Sequence, residues 1–372
     1  MILSKSIDFL LENAGDVIKY RLHKEILKDL NKVEEENLLE KVFQTPYYKL
    51  VESYVKPNGY IGSGMHSWSN WRGMVLHETP LQDGEAAARL LSNYAIPKNK
   101  QIIINFIAAL RNDEILKEEF SYISPEIARF RDRYLGINSG YSISLLNYTC
   151  QALLGYGDDD EVRAFTETSY NAFESVLHIS ALSDITKTRA NSGKKYNYPY
   201  IEQDMYFPCQ YHLETLAHTT TWRNDKHIET IANAINHLCE IMEDDNLLHV
   251  KIGNKYYAPC WAYVRPFKVF TNEVATEVAL RKTLTHLAMV GGDKIDVVCQ
   301  SADVVKTALE KDGVLRVKFD TPYHKKCFKQ NMSIPSPYSE ISLETSHKSD
   351  IQIWCDLTFW AVQFLHILNR GL

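Results

Sequence analysis

The stretch that decides the fold is "CQYHLETLAHTTTWRNDKHIETIANAINHLCEIM", residues 209–242. In its second half Ile228, Ile231, Ile235, Leu238 and Met242 advance by three or four, which stacks them on one face of a helix. Its first half reads as another helix, and the turn between them is short enough to force the two antiparallel. The unit is a helical hairpin.

Working outward, the same unit recurs. "GEAAARLLSNYAI" (84–96) precedes "NKQIIINFIAAL" (99–110), and "SISLLNYTCQALLGYG" (142–157) precedes "DDDEVRAFTETSYNAFESVL" (158–177). "TNEVATEVALRKTLTHLAMV" (271–290) precedes "GGDKIDVVCQSADVVKTALEK" (291–311). Ile102, Val162, Ile228 and Val297 hold equivalent places, with gaps of 60, 66 and 69 residues. "IDFLLEN" and "DVIKYRLHKEILKDL" make an earlier hairpin, and "DIQIWCDLTFWAVQFLHIL" (350–368) supplies a last helix expected to pack against the first.

Between hairpins run connectors at 56–81, 112–140, 179–207, 244–270 and 312–349, far longer than packing requires. Short turns within hairpins and long ones between them gather the connectors at one end. Tetratricopeptide and HEAT arrays have shorter periods and tight turns at both ends, so a closed ring is expected rather than an open solenoid. The expected fold is all-α: a single α/α-toroid domain over residues 1–372, with inner and outer rings of helices and the connectors around one mouth of a central cavity.

The pattern resembles the α/α-toroid superfamily of terpenoid cyclases and protein prenyltransferases. "LLNYTCQALLGYGDDDEVRAFTETSYNAFESVL" (145–177) is similar to its repeat, in which an inner helix ends in a Gly and an acidic turn. "KPNGYIG" (56–62) is similar to its Gly/aromatic connector, and "FLLENAGDVIKYRLHKEILKD" (9–29) looks like the opening of prokaryotic proteins of that fold. The resemblance implies a central cavity that binds a small, partly apolar ligand.

The departures are specific. "GYGDDDEV" satisfies neither the D-x-D-D acid of class II cyclases nor the D-D-x-x-D magnesium site of class I synthases, and Asp158–Asp160 read as helix-capping carboxylates. The D-x-C zinc pair of prenyltransferases is absent. Cys209 and His212 share one helical face, but no third ligand is identifiable, so neither metal nor cofactor is expected. Nor does the chain contain H-E-x-x-H, G-x-S-x-G, a P-loop or the Rossmann glycine pattern.

Ligand contacts are expected where the inner helices begin beneath the connectors. "WRGMVLHETPLQDGEAA" (71–87) offers Trp71, His77 and Glu78, with Asp83 as an N-cap and Glu85 in the first turn. A His beside a Glu can form a proton-transfer pair or simply fasten the loop. Tyr141 and His212 stand at the next two inner-helix starts, and "YYAPCWAYVRPF" (256–267) adds Trp261 and Arg265. Aromatic residues there, and in "KKYNYPYIEQDMYF" (194–207), can line a ligand or pack the loops. The glycines at 59, 62, 64 and 73 would let the first connector bend over the mouth and present Trp68, Trp71 and His77. "LLHVKIGNKYY" (247–257) and "GVLRVKFD" (313–320) read as short strands.

Composition sets the remaining expectations. A net charge of −6 with scattered Lys and Arg gives no basic stripe for nucleic acid or a membrane surface. Asp8, Glu12 and Asp16 interrupt the opening apolar pattern as no export signal would, and no run is read as a membrane span. Seven cysteines at unpaired spacings suggest a reduced, cytoplasmic protein. Three functions remain: an enzyme acting on a small, partly apolar substrate, a non-catalytic ligand- or partner-binding toroid, and a carbohydrate-active (α/α) barrel with two carboxylates across its cavity.

Overall fold

The computed structural model describes residues 2–65, 83–120, 143–188, 199–202, 207–242, 249–252, 254–257, 267–271, 274, 278–317, 343–345 and 349–370. Among these the chain is mostly helical, as an all-α protein should be. It divides into two compact units, the first of residues 1–122, 269–285 and 300–372 and the second of residues 123–268 and 286–299.

In the first unit α1 (Ile2–Asn13), α2 (Asp16–Arg21), α3 (Lys32–Phe43) and α4 (Pro46–Ser53) precede the hairpin of α5 (Gly84–Asn93) and α6 (Gln101–Leu110). The pair α3 and α4 was not anticipated from the periodicity. Its signals are local: Asn31 and Glu34 form a reciprocal capping box, and Pro46 opens α4. α7 (Asp113–Phe120) likewise occupies the start of the expected second connector, its first amides bonded to the Asn112 side chain. The last helix of the chain, Asp350–Arg370, packs along α1 as expected. By length and composition it could cross a membrane, yet Phe359, Trp360, Val362 and Phe364 are buried within its unit. Trp360 stacks on Phe270 and Phe364, and its indole N–H donates to the Arg281 carbonyl and the Thr285 hydroxyl.

The described part of the Gly/aromatic connector is a tight turn. Val55 pairs with Ile61, the Gly59 N–H donates to the Lys56 carbonyl, and the Gly62 N–H donates to that of Tyr54. Gly59 has φ of 85°, and a Cβ there would lie 2.8 Å from the Asn105 carbonyl oxygen, so only glycine fits. Tyr60, fully buried, meets the edge of Phe106. The buried Glu119 carboxylate then accepts from Lys56 and from the Gly64 N–H.

In the second unit α8 (Ile143–Gln151) ends in a π-turn at 152–156, and α9 (Asp160–Glu174) follows. α10 (Gln210–Ala217) and α11 (Asp225–Ile241) form the next hairpin. α8 lies against α10, α9 lies against α11, and α9 also packs on α10. The helices α12 (Val278–Gly291) and α13 (Asp296–Leu309) place their joining turn in this unit and their remaining residues in the first. Their successor Asp350–Arg370 is α14.

The expected strands of 247–257 form β2 (His249–Ile252) and β3 (Lys255–Tyr257), an antiparallel pair. β1 (Tyr200–Glu202), from the third connector, joins β2 in parallel, so the third and fourth connectors meet in one small sheet. Residues 313–317 are not strand, and 318–320 lie outside the described residues. Val314 and Leu315 are instead buried singly, with the Leu315 N–H donating to the Thr358 hydroxyl rather than to a strand partner.

Candidate functional site

Of the residues selected from sequence, Trp71, His77, Glu78, Tyr141, Trp261 and Arg265 lie outside the described residues, as does Trp68. His212 is described, and its position follows from how α10 starts. Cys209 is the N-cap, and its N–H donates to His212 Nδ1 at 3.1 Å, so the imidazole stands where a capping-box Glu or Gln would. The ring is fully buried, 6.0 Å from Phe165 of α9, and Phe165 stacks in turn on Tyr148 of α8. With Nδ1 accepting, the proton of the neutral ring resides on Nε2, which has no hydrogen-bond partner among the described residues. Burial pushes the imidazole pKa down to about 3. Thus His212 is a neutral core group.

The neighbouring polar contacts on that side are interhelical. The Thr149 hydroxyl lies 3.0 Å from that of Thr215 and donates to the Tyr211 carbonyl. Among the described residues no three His, Cys, Asp or Glu side chains are grouped to hold a metal.

A different face of α10 carries Gln210, Glu214 and His218 at successive i,i+4 positions, roughly a third of a turn round from His212 and Thr215. Gln210 donates to the Glu214 carboxylate at 3.1 Å, and Glu214 is only 1% exposed. The His218 ring meets His286 of α12 edge-on, 5.4 Å between centroids. Leu213, Ala217 and Tyr211 flank this stripe along the helix. Adjacent α8 repeats the spacing, with buried Gln151 donating to buried Asn147 at 3.3 Å. The i,i+4 pattern also occurs in the first unit, where Glu85 and Arg89 of α5 form a buried ion pair.

These polar stripes lie within the helices, away from the helix starts and connectors where ligand contacts are expected from the sequence. Their signal is nevertheless present in the sequence: polar residues at i,i+4 inside helices whose other positions are apolar. Ordinary amphipathic helices show the opposite arrangement, as α11 does with Ile231, Ile235 and Leu238 buried.

The acidic turn Asp158–Asp160 does structural work. Asp158 accepts from the Thr220 N–H at 2.6 Å, the Thr220 hydroxyl at 2.7 Å and the Thr221 N–H at 3.0 Å. Partial burial raises its pKa, but these bonds outweigh it and hold the group below the ordinary carboxylate range. The turn of one hairpin is thereby tied to the turn of the next. No family model, curated protein or solved structure matches the chain.

Proposed function

We propose that this protein binds a small, partly apolar molecule against the polar stripe of its second unit, and that the α/α-toroid arrangement suggested by the repeat presents that stripe to the ligand. The observation carrying this reading is that α10 is buried from Tyr211 to Ala217 and yet keeps Glu214 there. An ionisable side chain adds nothing to apolar packing and costs several kcal/mol, on the order of the desolvation of one charge, when removed from water. Its persistence in line with Gln210 and His218 suits a lining that meets polar groups of a ligand, with Leu213 and Ala217 for the apolar part.

Glu214 and the two imidazoles are also groups able to exchange a proton, so any reaction at this stripe is expected to use them as acid and base. Farnesol serves as a partly apolar probe and maltotriose as a carbohydrate probe. Farnesol is expected to bind saturably in calorimetry and to raise the melting temperature, while Glu214→Gln weakens it about tenfold or more, as loss of a charged hydrogen bond does. Binding of maltotriose alone would transfer the reading to the carbohydrate class. If neither probe binds, or the variant binds farnesol as tightly as the parent, this assignment fails.

A further inference from the structure

The first unit contains a buried pair of acids that ligand binding at α10 does not involve. Segment 343–345 lies between the α1–α2 turn and α14. On one side Asp356 Oδ1 accepts from the N–H of Leu343 at 2.9 Å and of Glu344 at 3.3 Å. On the other, the Gly15 N–H donates to Glu344 Oε1 at 2.7 Å. The approach is so close that a Cβ on residue 15 would stand 2.9 Å from Glu344 Oε2. Glu344 is 4% exposed and Asp356 6%.

The groups acting on Glu344 come from several elements: Asp16 and Lys19 of α2, and Cys355 and Asp356 of α14. Among the described residues, Tyr47 of α4 and Tyr94, just past α5, also feel this pair. Burial, then Asp356, raises the Glu344 pKa to about 7, against the opposing pull of the Gly15 N–H and Lys19. Burial also raises both phenols and pushes the Cys355 thiol up to about 12, so these neighbours stay neutral across the physiological range. The proton that moves near neutral pH therefore belongs to the acid pair and resides on Glu344.

We infer that Glu344 is a protonation-controlled latch: neutral, it holds segment 343–345 between Gly15 and Asp356, and ionised, it is repelled by Asp356 and frees the α1–α2 turn. The latch is firmest near pH 4.5, where Glu344 carries its proton whether the latch is open or closed, loosens as pH rises towards 7, and loosens no further above that.

Native-state hydrogen exchange read at the Gly15, Leu343 and Glu344 amides tests this from about pH 4.5 to about pH 8, after correction for intrinsic exchange. Protection at these amides is expected to fall by up to about tenfold per pH unit below the Glu344 midpoint near pH 7, and to level off above it. Phe106 in α6 serves as a control and is expected to stay level. Glu344→Gln keeps an acceptor for Gly15 and is expected to abolish the fall. Asp356→Asn keeps an acceptor for Leu343 and is expected to lower the midpoint. Level protection in the parent, or an unchanged fall in Glu344→Gln, overturns the proposal. Should Glu344→Gln not fold, Asp356→Asn decides: a lowered midpoint supports the latch and an unmoved one overturns it.

Discussion

At the scale of single residues, His212 shows how burial decides the role of a side chain. The ring occupies the capping position of α10 and keeps a neutral form that water would not impose on it. A histidine with a depressed folded pKa favours the native state fully above its unfolded value near 6.5, and that advantage is lost as pH falls towards about 3. Between pH 7.5 and 5.0 the native state should therefore lose about 2 kcal/mol relative to His212→Gln, which can still cap the helix but cannot titrate. Urea unfolding of both proteins at the two pH values checks this, and a pH-independent difference between them would contradict it. Cys209 and His212 were legible as neighbours on one face, because spacing alone fixes that. What spacing could not give was the ring's burial against Phe165, since that contact joins residues 47 positions apart in different hairpins.

Among the secondary-structure elements, the helices of the four repeated hairpins were legible from their 3.6-residue periodicity. Those lacking a long apolar stripe were not: α3 exposes much of its length and declares itself by its Asn31 cap, and α7 by Asn112. The stapling of one hairpin turn to the next was also invisible, because Asp158 reads equally well as a cap for its own helix. Asp159 takes the N-cap position without a side-chain capping bond, while Asp158 reaches Thr220 and Thr221. Asp158→Ala should then cost about 1–2 kcal/mol, as loss of charged hydrogen bonds at a partly exposed site does, with local loss of amide protection at Thr220 and Thr221. Equal protection in parent and variant would show that the staple contributes nothing. Gly59→Ala meets two obstacles, a positive φ and the Asn105 carbonyl, and is expected to destabilise the first unit by about 2 kcal/mol. Thermal unfolding gives the measurement, and an unchanged melting temperature would mean that the turn relaxes freely.

Over the whole molecule, composition and repeat length were sufficient for an all-α chain, and the contact of α14 with α1 was anticipated from the unpaired last helix. The α10 stripe was harder to see, because a polar residue in a helix looks like a solvated one until its burial is known. Glu214 acquires meaning only when the helix is known to be buried from Tyr211 to Ala217. The central claim is that this stripe receives a ligand. The measurement that tests it most directly is an electron-density map from crystals of the full chain soaked in farnesol. The account predicts farnesol with its hydroxyl in hydrogen-bond contact with Glu214 or His218 and its chain along Leu213 and Ala217. A map in which the protein's own side chains close over Gln210, Glu214 and His218 on every side, with no farnesol against them, would contradict it.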